Sequence, residues 1–103
     1  MKPSEAILKG YEMVPNQITG RMHQYNPEDT DQIIGACALG LMFIGYTGYT
    51  EHDYTFWEGF EWGDYISPNI LNSINLLNNI AKLNDDLRFT VPQIVEWLQE
   101  YGL

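Results

Sequence analysis

Apolar positions recur at helical spacing most clearly near the end of the chain. Ile94, Trp97, Leu98 and Tyr101 stand at i, i+3, i+4 and i+7, a single stripe, while Glu96 and Glu100 are left to water. Thr90 and Gln93 have the spacing of a capping box, and Phe89 and Ile94 that of a hydrophobic staple. Pro92 falls in the first turn, where its missing N–H costs nothing, and Gly102 ends the helix. The helix before it is announced as clearly. Ser67 caps, Pro68 takes the first helical position, and Ile66 staples onto Leu71. Ile70, Ile74, Leu77 and Ala81 form one face, widened by Leu71, Ile80 and Leu83. Asn69, Asn72, Asn75 and Asn79 lie opposite. Asparagine is a mediocre helix former, so this helix depends on burying its stripe and should end at Asn84-Asp85.

Upstream, Asn26-Pro27-Glu28-Asp29-Thr30-Asp31 reads as a helix start, with cap candidates, a proline and acids at the positive end of the dipole. The stretch from Ile33 to Ile44 is apolar on nearly all sides and predicts a central buried helix. Gly35, Ala36, Ala38 and Gly40 give it so little bulk that another backbone should pack close against it. A first helix from Ser4 to Met13 buries Ile7, Leu8 and Tyr11 and ends before Pro15. Residues 17–25 suit a short β-hairpin, and Gly45 to Thr50 a turn-rich exit. No repeat, linker or boundary divides residues 1–103. The expected fold is mainly α: one acidic domain, a compact bundle of four or five helices with that short hairpin.

The landmarks also follow a familiar order. Ser4-Glu-Ala-Ile7 with Gly10 leads to Gln17-x-x-Gly20, and then to Gly35-Ala-Cys-Ala-Leu-Gly40. Leu83-Asn-Asp85 joins the last helices, followed by Phe89-Thr-Val-Pro-Gln-Ile-Val-Glu-Trp-Leu98. Together they resemble a loose group of small, uncharacterised bacterial and phage proteins built around a Cys-Ala-Leu-Gly helix and an Asn-Asp turn before a capped C-terminal helix. The resemblance spans most of the chain and implies a helical fold and a bacterial or phage origin, but no activity. Some members carry a Cys-x-x-Cys pair that implies a zinc knuckle; this chain has none.

Composition narrows the function classes. With 103 residues, 45% of them apolar, the chain is long enough for one core without staples. Cys37 is the only cysteine, so no intrachain disulfide forms and the cytoplasm is the expected compartment, in a bacterium or a phage-infected host. The N-terminal residues lack the apolar region of a signal peptide. Ala36 to Tyr46, the longest apolar stretch, is well short of the roughly 20 residues of a membrane span. A net charge of −9 argues against direct binding to nucleic acid or to an anionic membrane, both of which select Lys and Arg.

Few residues suggest catalysis. Cys37, among alanines, suits a small core residue better than a nucleophile, although a helix start is near and His23 or His52 is available in principle. Glu51-His52-Asp53 combines three metal-ligand types, but adjacent residues do not face one direction on a helix or a strand. Asn84-Asp85-Asp86 lacks the alternating ligands and distal glutamate of a calcium loop and suits a turn bonded to nearby backbone. No cofactor or metal is expected, nor any catalytic residue.

Charge distribution carries the functional expectation. Between Arg21 and Lys82 there is no lysine or arginine, yet Glu28, Asp29, Asp31, Glu51, Asp53, Glu58, Glu61 and Asp64 lie there. From Glu51 to Tyr65 the carboxylates alternate with Phe56, Trp57, Phe60 and Trp62. Two or three of these rings should complete the core, and the rest should form an anchor ringed by negative charge. The reading is an acidic interaction protein, not an enzyme, that binds a basic protein surface through Glu51, Asp53, Trp57, Glu58, Glu61, Trp62 and Asp64. The phage resemblance extends this to a nucleic-acid-handling partner, with the acids imitating DNA as an inhibitor of bacterial defence such as an anti-CRISPR protein does. The alternatives are a small enzyme or ligand-binding protein using Cys37, His23 or Asp85, and a structural homodimer.

Overall fold

The computed structural model describes residues 1–51 and 58–103. Its elements are α1 (Pro3–Met13), β1 (His23–Asn26), β2 (Asp29–Ala36), α2 (Ala38–Thr47), a 3-10 turn (Trp62–Asp64), α3 (Pro68–Ser73), α4 (Leu76–Asp85) and α5 (Val91–Glu100). Among the described residues these make five α-helices and one antiparallel hairpin, so the molecule is mostly helical, as expected.

Helix α2 is the centre. Ala38 and every residue from Gly40 to Gly45 are buried, which is why its sequence shows no polar face. Helix α1 crosses it at backbone contact distance. A Cβ on Gly10 would strike the Leu41 carbonyl, and one on Gly45 would strike the Ala6 carbonyl. Gly10 faces residue 41 and Gly45 faces residue 6, so the two helices run antiparallel. Helix α4 packs on α2, and α5 packs on α1. Of the expected α5 stripe Ile94 and Leu98 are buried and Trp97 is half-buried, but Tyr101 is exposed and Val91 and Val95 fill the face instead; Thr90 with Gln93 makes the expected capping box. At its far end the Leu103 carbonyl accepts from the Ser4 N–H at 3.1 Å and from the Ser4 hydroxyl at 2.7 Å, tying the last residue to the first turn of α1.

Five expectations are corrected. The predicted helix through residues 33–44 begins only at Ala38, because Asp29–Ala36 is a strand. Its first four residues are polar and exposed, and the β-branched Thr30, Ile33 and Ile34 favour extended backbone. Asn26-Pro27-Glu28-Asp29 is accordingly the hairpin turn, with the Asn26 side chain accepting from the Glu28 N–H at 3.0 Å. The hairpin therefore lies at 23–36 rather than 17–25, with Gln17 making only an isolated parallel bridge to Ala36. Helix α2 also continues to Thr47, through the predicted exit, and stops at Gly48 in the left-handed region (φ 76°).

The fifth correction is the break between α3 and α4. Asn75 adopts φ 51°, a left-handed conformation that asparagine tolerates better than most residues. The Asn79 side chain donates to the carbonyl of Ile74, and Asn78 donates to the Asn75 side chain at 3.2 Å. The asparagines that weaken the helix thus supply the bonds that stabilise its interruption.

Two substitutions test this architecture. Leu98 is fully buried, and Leu98→Ala should cost about 2–4 kcal/mol in urea unfolding. A loss under about 1 kcal/mol would contradict the docking of α5. Gly45→Ala should destabilise by about 1–3 kcal/mol or more, because the added methyl meets backbone that cannot rotate away. An unchanged midpoint would mean that α1 and α2 do not approach so closely.

Candidate functional site

The acidic-aromatic surface is built outward from α2. Phe43, buried in that helix, meets Phe60 in a T-shaped pair at 4.8 Å between ring centroids. Trp62 meets Phe60 edge-on at 5.0 Å, and Tyr65 stacks on it at 5.7 Å. Tyr65 also lies 5.7 Å from Tyr46. Such ring pairs contribute about 0.5–1.5 kcal/mol each beyond the area they bury. The 3-10 turn Trp62–Asp64 lies within this cluster, and buried Ile66 closes its end by donating its N–H to the Trp62 carbonyl at 2.9 Å. Phe60 and Trp62 are half-buried, whereas Glu58, Glu61, Asp64 and Tyr65 are exposed. The carboxylates therefore stand in water around rings rooted in the core.

A second group of acids comes from the hairpin. The Ile33 N–H donates to the Thr50 carbonyl at 2.9 Å, and Glu51 bridges Gln32 in antiparallel fashion. This sets exposed Glu51 beside the outer part of β2, which carries exposed Asp29 and Asp31. Asp53 and Trp57, with His52 and Phe56, lie outside the described residues. Tyr46, which spacing did not single out, joins the cluster from α2 and donates its hydroxyl to the Met1 carbonyl at 3.0 Å. Burial, then the Glu5 carboxylate, pushes its phenol up to about 12.

The residues of the alternative reading gather around the start of α2. Cys37 is the N-cap residue, 7% exposed, and makes no side-chain cap hydrogen bond. Burial pushes its thiol up; the amides of Gly40 and Leu39 oppose this, and the Asp85 charge adds to it. His23 is buried, with Nε2 3.4 Å from the Gly40 carbonyl and its ring edge-on to Phe43 at 5.6 Å. Among the described residues there is no pocket here or elsewhere, and no group of three metal-ligating side chains. None of the described helices is long and apolar enough to cross a membrane.

Asn84 is the unexpected member. It bonds little to nearby backbone and instead reaches across the molecule while fully buried. Its Oδ1 accepts from the Ala38 N–H at 3.0 Å and from Gln17 Nε2 at 2.8 Å. Its Nδ2 donates to the Ile18 carbonyl at 2.9 Å and to Asp85 at 2.8 Å. Gln17 in turn donates to the Phe89 carbonyl at 2.7 Å and accepts from the Val91 N–H at 2.8 Å. Asp85 accepts from the Gly20 N–H at 3.1 Å. The short motifs Gln17-x-x-Gly20, Cys37-Ala38, Asn84-Asp85 and Phe89-Thr-Val91 thus meet in one junction.

Asn84→Ala should leave the Ala38 N–H and the Ile18 carbonyl without partners and cost about 2–6 kcal/mol in urea unfolding, at about 1–3 kcal/mol per buried group. A change below about 0.5 kcal/mol would mean that the junction contributes nothing. Cys37 should react slowly with DTNB in the native protein and rapidly after denaturation, because its thiolate is disfavoured and its sulfur buried. Fast native labelling with a midpoint below about 8.5 would mark an activated thiol.

Comparison of the chain with protein-family models, with curated proteins and with solved structures gives no match.

Proposed function

We propose that this chain is an acidic interaction protein that docks on a basic protein surface through Glu51, Glu58, Glu61, Trp62 and Asp64, with Asp53 and Trp57 of the intervening segment. It works by binding rather than by catalysis. The observation that supports this most is the exposure of Glu58, Glu61 and Asp64 around half-buried Phe60 and Trp62, in a stretch of sequence without any cation. Uncompensated carboxylates steer a basic partner, and the aromatic edges supply area that excludes water once it arrives.

The partner on this reading is a nucleic-acid-handling protein. Its phosphate-binding surface is basic by necessity, and a row of carboxylates offers it the charge of DNA without the nucleic acid. The resemblance to phage proteins suggests that such mimicry inhibits a bacterial defence complex in the cytoplasm of an infected cell.

A pull-down from bacterial lysate, washed with rising salt, should retain a basic protein at low ionic strength and release it at high. With that partner, the variant carrying Glu58→Lys, Glu61→Lys and Asp64→Lys should associate more slowly and with a flatter salt dependence, since steering by exposed charge is screened within about 8–10 Å. Trp62→Ala should instead raise the dissociation rate, by about 2 kcal/mol or more if the ring is a hot spot. Circular dichroism must show each variant folded, because Trp62 also packs on Phe60. A folded triple variant that binds as tightly as wild type, with the same salt slope, would reduce the acidic face to a solubility feature and end this proposal.

A further inference from the structure

We draw no further inference here: the strongest candidate, the junction at the start of α2 where Cys37, His23 and the Asn84-Asp85 pair gather, holds a lone buried cysteine beside an amide whose bonds all close within the fold, and nothing among the described residues there points to a ligand.

Discussion

The side-chain amide of Asn84 is the constraint on which the rest of the fold depends. A helix begins with N–H groups that have no partner inside the helix, and the usual remedy is a capping side chain at the preceding position. Helix α2 has Cys37 there, a weak acceptor that makes no cap bond. The Ala38 N–H is satisfied instead by Asn84, from the end of α4. Capping from a distance lets position 37 remain small and apolar, as its buried surroundings require. It also ties the first turn of α2 to the end of α4. Because the same amide reaches Ile18 and Gln17, and Gln17 reaches Phe89 and Val91, the first loop, the central helix and the last helical corner are placed together. A partly bonded network of this kind would cost more than an apolar one, so its members are expected to form or fail as a unit.

With the start of α2 set, its flanks are set by sterics. Gly10 and Gly45 allow α1 to lie against it at backbone distance, where any side chain would separate the helices. Close approach increases dispersion contact and leaves little freedom to slide. Phe43 then projects from this fixed helix toward both His23 of the hairpin and Phe60 of the aromatic cluster. The surface acids are thus carried on a framework that begins at a buried amide and passes through one phenylalanine. On the proposed binding role this base would matter, because an ordered anchor loses less entropy on binding than a loose one.

How much of this was legible in the chain can be judged element by element. The extent and capping box of helix α5 were readable, since those signals are local and agree with one another, but its stripe only in part: Ile94 and Leu98 are buried, whereas Tyr101 is exposed and Val91 and Val95 take the remaining core positions. The limits of the Ser67–Asp85 region were readable for the same reason; the extent of the first helix was readable too, but of its expected inner residues only Ile7 is buried, Tyr11 being half-buried and Leu8 exposed. The acid excess and its aromatic neighbours were visible as composition, and the exposure of Glu58, Glu61 and Asp64 follows from the cost of burying a charge. Residues 29–36 were not readable as a strand. A run of apolar residues long enough to be a helix looks alike whether it is one helix or a strand followed by a helix, and the decision depends on what covers it.

What the sequence by itself determined is local: the caps at Ser67 and Thr90, the burial of Ile94 and Leu98 on the last helix, and that the middle of the chain carries negative charge without relief. Only the tertiary structure decided the rest. Asn75 takes a left-handed conformation that splits a continuous apolar stripe, and Glu51 comes to lie beside Gln32 through a bridge that no periodicity encodes. Asn84, which resembles any polar residue at a helix end, becomes the buried partner of groups 46 and 66 residues away. The physical reason is the same in each case. Backbone hydrogen bonds must be satisfied wherever packing removes water, and a short polar side chain can satisfy a distant group as readily as a near one, so its partner is chosen by the packing and not by its neighbours in the chain.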